Sequence, residues 1–342
     1  MTDSAYDALL VLSFGGPEGP DDVIPFLENV LRGRNVPRER MMEVAEHYQH
    51  FGGVSPINQQ CRDLIAALRS ELEQHHVDLP VYWGNRNWNP FLADTLQEIH
   101  DAGHRRVLTY VTSGFSCYSG CRQYREDIIR ARETLRGDPL QIDKIRVFYN
   151  HPDFIAVNAE AVDSGLKEIR QQHSGPVKVA FTAHSIPDSM ASTSDYVQQL
   201  TESCRLVAEE LGLTPDDWDL VYQSRSGRPQ DPWLEPDILD HIRQLHSQEI
   251  SNVVISPIGF LSDHMEVMFD LDEEAADLCK SLEMGMYRVR CPGHHPRFVG
   301  MIRKLIQERL EGTPREAIGR FGPNHDVCPQ DCCPAPVRRR PA

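Results

Sequence analysis

The chain has 342 residues, enough for two domains at roughly 100 to 200 residues each, so a peptide or a lone small module is excluded. Its 51 acidic against 35 basic residues give a net charge of −16, which disfavours nonspecific binding to nucleic acid or to anionic membranes. With 40% hydrophobic and 25% charged residues the composition is that of an ordinary folded protein, and disorder can only be local.

In chain order, the first apolar run, Ala8 to Ser13, reads as a strand. No basic segment precedes it and no run nears the ~20 apolar residues of a membrane span, so a cytoplasmic protein is expected. Further strands are predicted at Pro80 to Trp83, Val107 to Thr112 and Ile145 to Tyr149. The pattern then repeats at Val177 to Thr182, Leu220 to Gln223, Val253 to Ile258 and Tyr287 to Arg290, with helical stretches between. Runs this apolar suit parallel strands covered on both faces. The expected fold is α/β: two similar doubly wound, Rossmann-like parallel-sheet halves, 1–150 and 151–321, with a cleft between them. Residues 322–342, with five prolines and three cysteines, read as an irregular tail that would be disordered if unligated.

One helix is announced by Ser55 as N-cap and Pro56 at the first helical position, with Ile57, Cys61, Leu64, Ile65, Leu68 and Leu72 on one face. Cys61 is therefore a core residue, and Cys204 is another by the same periodicity. Nine cysteines, odd in number and unevenly spread, argue against a secreted disulfide framework.

Ligands of open parallel sheets bind beyond the carboxyl ends of the strands. Four segments fall there: Ser13 to Pro17, Ser113 to Tyr124, His184-Ser185 and Gln223-Ser224. His184 can bind a metal or accept a proton near neutral pH, or simply end a buried strand. Glu266, Asp270 and Glu274, at i, i+4 and i+8, form one line of carboxylates if helical, and the apolar Met265, Val267, Met268 and Phe269 favour a divalent cation over a solvated acidic face. Cys328, Cys332 and Cys333 in the tail, with Cys117 or Cys121 upstream, could hold a 2Fe-2S cluster or a structural zinc, or remain unligated and redox-reactive. Arg32-Gly33-Arg34, Ser55, Arg86 and Tyr124 are candidates for anion contact. Neither a P-loop nor a dinucleotide fingerprint occurs in the sequence.

Taken together, Leu12-Ser-Phe-Gly-Gly-Pro17, Phe51-Gly-Gly-Val-Ser-Pro-Ile57, Tyr82-Trp-Gly-Asn-Arg-Asn87, Phe181-Thr-Ala-His-Ser-Ile-Pro187, Gln223-Ser224, Asp231-Pro-Trp-Leu234 and Pro257-Ile-Gly-Phe-Leu-Ser-Asp-His-Met-Glu-Val267 resemble the ferrochelatases along most of the chain. The cysteine-bearing tail is similar to that of the actinobacterial branch, whose members are soluble and insert ferrous iron into coproporphyrin III to give coproheme. The resemblance implies a type II chelatase architecture and a catalytic, metal-binding pair, His184 and Glu266. It further implies Asp270 and Glu274 as an acidic row feeding or holding a second metal. Ser55 and Tyr124 match substrate-contacting positions, Arg32 and Arg86 are propionate partners, and Phe14 and Trp233 line the pocket. Some relatives carry an iron-ligating tyrosine where this chain has Phe14, so a fifth ligand to the product iron would come from elsewhere, His184 first. The implied cluster ligands are Cys121, Cys328, Cys332 and Cys333, with Cys117 as the substitute upstream ligand. Transient docking of the next heme-pathway enzyme is also implied. The competing readings are the same reaction on protoporphyrin IX, a cobalt or nickel chelatase, and a heme or iron carrier without catalysis.

Overall fold

The structure, a computed structural model, describes residues 6–33, 36–226 and 230–336; Arg34 and the end of the tail, 337–342, lie outside them. Among the described residues, β1 (Ala8–Ser13), β2 (Val81–Asn85), β3 (Arg106–Val111) and β4 (Gln141–Lys144) form one parallel sheet in the order β2-β1-β3-β4. A second, with β5 (Val177–His184), β6 (Trp218–Gln223), β7 (Asn252–Ser256) and β8 (Gly285–Arg288), runs β6-β5-β7-β8. The two orders are the same permutation, so the repeat seen in the sequence is a repeat of topology. Every residue of β1 is buried, as both faces of a central parallel strand must be when helices cover them.

The expected strand Ile145 to Tyr149 is not one. The ladder stops at Lys144, and after one continuing bond from Ile145 N–H to the Thr109 carbonyl (2.9 Å) the backbone leaves the sheet. Ile145, Val147, Phe148 and Tyr149 are buried outside the strand ladder, with the Phe148 carbonyl accepting the His151 N–H (2.9 Å) and the Tyr149 carbonyl the Ser203 hydroxyl (2.7 Å). Apolar character reported burial here, not pairing, while the polar edge strand β4 escaped notice. The helix Ile57–Gln74 buries the predicted stripe, Cys61 included, and Cys204 is fully buried. Its N-cap is Pro56, not Ser55, whose hydroxyl makes no cap and whose N–H goes to the Pro17 carbonyl at 2.9 Å.

The chain packs as two compact units. One runs to Thr112 and adds Tyr124–Ile145 and Ile302–Pro314; the other takes Ser113–Gln123, Arg146–Met301 and the segment from Arg315. No linear cut at 150 and 321 describes this division, because pairs remote in sequence set it. Within the first unit, Arg303 reaches Glu71 (2.8 Å) and Arg309 packs over the Tyr6 ring, ties that local periodicity cannot announce.

The tail has no regular structure among its described residues, yet it is fixed. In the second unit Asn150 donates to the Gly322 carbonyl (3.2 Å) and to the Phe321 carbonyl before it (2.8 Å), and the stretch leading into the tail is held by Arg146 on the Glu316 carbonyl (2.8 Å) and by Glu202, which accepts the Arg320 N–H (2.7 Å). Burial would raise the Glu202 pKa, but its pairing with Arg205 and the Arg320 N–H holds it below the ordinary glutamate value. That stabilisation is present at neutral pH and is lost as pH falls through the depressed pKa. Replacing Glu202 by alanine should cost about 2–3 kcal/mol and loosen the tail, read as a lower melting temperature and faster proteolysis after Pro314.

Candidate active site

In a sheet ordered β6-β5-β7-β8 the crevice lies beyond the ends of the adjacent strands β5 and β7, where the connections diverge. His184 is the last residue of β5, and the loop after β7 leads to Glu266. The two side chains meet, with His184 Nε2 3.8 Å from Glu266 Oε2. Both remain open, the imidazole 32% and the carboxylate 49% exposed.

The ring is oriented by its other nitrogen. His184 Nδ1–H donates to the Ser185 carbonyl, which leaves Nε2 as the basic, metal-binding atom facing Glu266. Burial favours the neutral ring, yet Glu266, the Ser185 carbonyl and Asp270 together hold the His184 pKa above its ordinary value. Burial would raise the Glu266 pKa, but His184 and His264 bring it down to about 2. The backbone of His184 is held in turn by Tyr196, whose hydroxyl donates to the His184 carbonyl at 3.0 Å. A Tyr196→Phe protein should lose roughly 3- to 10-fold in kcat with little change in substrate KM, because the orienting strand end gains slack. Steady-state kinetics beside a melting curve would separate this from a loss of fold.

The acidic row differs from a plain α-helix. Met265–Val267 starts one, Met268–Ala275 continues as a π-helix, and Ala276–Ser281 returns to α. Such widened turns are rare and gather at functional sites. Asp270 accepts from the Ser224 hydroxyl and from Gln223 Nε2 (3.2 Å), which places it under the end of β6. Burial first, then Glu266 and Glu274, push its pKa up to about 7 against those hydrogen bonds. Glu274 is also raised, by burial and by Asp237 and Glu273. Ser224 itself sits at φ +61°, strained backbone that keeps its hydroxyl on Asp270. Trp233 is half-buried, and its segment pairs with the chain just past His184, through Leu234 N–H to the Ile186 carbonyl (3.0 Å).

The first unit carries the other predicted residues, and it brings three of them together. The Arg86 guanidinium stacks 4.4 Å over the Tyr124 ring and 5.8 Å from the Phe14 ring, and is paired with Asp127. Only 7% of the Arg86 side chain is exposed, so its charge is partly spent within the protein. Tyr124 is buried, which raises its pKa against the pull of Arg86. Ser55 is buried against Gly16, where a Cβ would fall 2.7 Å from that of Ser55. Arg32 is exposed and stands apart, donating to Asn29, which itself donates to the Asn87 carbonyl (3.2 Å).

The cysteines converge within the second unit. Cys121 and Cys333 are buried, Cys328 and Cys332 half-buried, and Cys332 Sγ lies 3.6 Å from Cys333 Sγ. Burial raises the Cys333 pKa, and Cys332, Cys121 and Cys117 raise it further, so deprotonating Cys333 calls for a cation. Cys117 is otherwise engaged, its sulfur accepting the Gly120 N–H at 3.1 Å to cap the π-helical turn Tyr118–Arg122 that carries Cys121. The sequence reading did not single out Tyr196, which holds the His184 carbonyl, or assign a part to His264, whose charge helps to lower the Glu266 pKa.

Parallel strands with a base and a carboxylate at the switch point define a metal chelatase. In fold the chain is similar to SirB from Bacillus subtilis with Fe3+, at 13% identity and a TM-score of 0.56 over 90% of this chain and 97% of that one. The chain belongs to the ferrochelatase family, whose profile matches residues 6–310. It is 58% identical over 339 residues to the ferrochelatase of Rhodopirellula baltica, covering 98% of this chain and 95% of that protein. It is 48% identical to the coproporphyrin III ferrochelatase of Streptomyces coelicolor, covering 98% and 95%, and 47% to that of Streptomyces griseus, covering 96% and 94%. No described helix is long and apolar enough to cross a membrane.

Proposed function

We propose that the chain is a cytoplasmic ferrochelatase that inserts ferrous iron into coproporphyrin III, giving coproheme III. The observation that carries the chemistry is the His184–Glu266 pair, 3.8 Å apart, open and oriented by the Ser185 carbonyl. Insertion exchanges two pyrrole N–H protons for one Fe2+. His184 Nε2 accepts the two pyrrole protons one after the other, releasing the first to solvent before it takes the second, and the Glu266 carboxylate replaces water on the incoming iron. Asp270 and Glu274 supply oxygen donors on the way to that pair. The macrocycle must bend to present its nitrogen lone pairs, a strain of a few kcal/mol drawn from binding at its rim. Arg32 and Arg86 with Ser55 and Tyr124 contact the peripheral carboxylates, and Phe14 and Trp233 the ring. Support for coproporphyrin comes from the Streptomyces relatives. Its product passes on by transient docking with the enzyme that consumes it.

Insertion moves no electrons, so the cysteine set has a structural or sensing part. Its sulfurs, Cys121 and Cys333 buried and Cys328 and Cys332 half-buried, with Cys332 3.6 Å from Cys333, suit a 2Fe-2S cluster on these four cysteines. When bound, such a cluster would supply a covalent clasp on the tail. The test of the main reading is an anaerobic assay with Fe2+ on both porphyrins. Multiple turnovers faster on coproporphyrin III are expected. Faster turnover of protoporphyrin IX would overturn the substrate, and binding without turnover would leave a carrier.

A further inference from the structure

We propose that His325 is a metal ligand, forming with Cys328 and Cys332 a mixed imidazole–thiolate centre in the C-terminal segment. The inference rests on the reading of the cysteines as a metal centre, and it changes the ligand set. One nitrogen or sulfur of each of His325, Cys328 and Cys332 lies within 4.8 Å of the others, and His325 Nε2 is 3.9 Å from Cys332 Sγ. Two donors on one tetrahedral ion, with bonds of about 2.0–2.3 Å, stand about 3.5–3.8 Å apart. The imidazole is therefore as well placed for a shared metal as the neighbouring Cys333 sulfur, 3.6 Å from Cys332.

The scaffold holds the histidine and the cysteines from one short segment. Ser116 accepts from Asn324 Nδ2 (3.2 Å), and Asn324 Oδ1 in turn accepts the His325 N–H (2.9 Å). Six residues on, Arg122 donates to the carbonyls of Gln330 and Cys332, both at 3.1 Å. Ser116 is itself fixed on the helix Tyr196–Glu210, by Gln199 Oε1 to its N–H (2.7 Å) and Gln199 Nε2 to its hydroxyl (3.0 Å). The segment that delivers Cys121 thus also positions His325 and Cys332. Adjacent cysteines chelate one ion poorly. With His325 in the set, Cys332 binds without Cys333 on the same metal, and Cys333 is free to face Cys121 and Cys117.

The experiment uses the full chain purified anaerobically. Iron, sulfide and zinc are counted per chain, and nitrogen coupling to the reduced centre is recorded by pulsed electron paramagnetic resonance. The expected result is a cluster with strong 14N coupling. In His325→Cys the cluster is retained, the coupling vanishes and the midpoint potential falls, since imidazole in place of thiolate raises it. In His325→Ala metal content drops by half or more while circular dichroism is unchanged. A wild-type cluster without nitrogen coupling, spectrally the same in both variants, would overturn the role of His325 and leave the all-thiolate cluster standing. About one zinc per chain that His325→Ala releases would overturn the cluster and uphold the ligand. A wild-type chain carrying neither metal would overturn both.

Discussion

Replacing His184 by alanine is expected to lower iron insertion by about 10²- to 10⁴-fold and to leave porphyrin binding near its wild-type strength. Two pyrrole protons must leave as the metal enters, and Nε2 of His184 is an oriented base at the end of β5, its Nδ1–H held by the Ser185 carbonyl. Glu266, held ionised down to about pH 2, is too weak a base to replace it. The loss corresponds to roughly 3–5 kcal/mol of transition-state stabilisation. Porphyrin binding draws on its rim and ring, far more contact than one imidazole supplies. Quenching of porphyrin fluorescence by the variant, set beside stopped-flow metallation, separates the two quantities. Turnover within threefold of wild type would remove His184 from the chemistry. Loss of binding in equal measure would make it a wall of the pocket.

Much of the fold was legible because buried parallel strands leave a signal that needs no partner. The runs at Ala8, Val107, Val177 and Val253 are apolar on both faces and were found within one or two residues of their starts. The fourth strand of the first sheet was misplaced because Gln141–Lys144 is an edge, paired on one side alone, while Ile145 to Tyr149 is apolar for packing. Periodicity also could not tell an α-helix from the π-helix Met268–Ala275, since i and i+4 share a face in either. The chemistry-bearing residues of the second unit were legible as types at strand ends, and so was the row of carboxylates. What holds them was not. Tyr196, Ser224 and Gln223 act through single hydrogen bonds to groups 12, 46 and 47 residues away. Such contacts follow from packing and leave no period in the sequence. His325 was passed over for a different reason, that four cysteines alone complete a ligand set.

Replacing Glu266 by glutamine should cut kcat/KM for iron by about 10²-fold or more while porphyrin affinity is kept. The amide has nearly the shape of the carboxylate, so packing survives and the charge alone is lost. Three consequences follow from that charge. The imidazole loses the partner that raises its pKa, so His184 becomes a weaker base. The incoming Fe2+ loses an anionic oxygen beside Nε2, so the step in which it sheds water slows. Asp270, pushed up to about 7 by burial with help from Glu266, ionises more readily once that neighbour is neutral. The last effect opposes the second, because a charged Asp270 attracts the cation. A Glu266→Gln, Asp270→Asn double variant should therefore fall below the product of the single effects, as groups that stand in for one another do. Iron titrations of initial rate across the four proteins measure this coupling. Strict additivity would place Asp270 outside the path of the metal, and an unchanged iron KM in Glu266→Gln would reduce Glu266 to a partner of His184 alone.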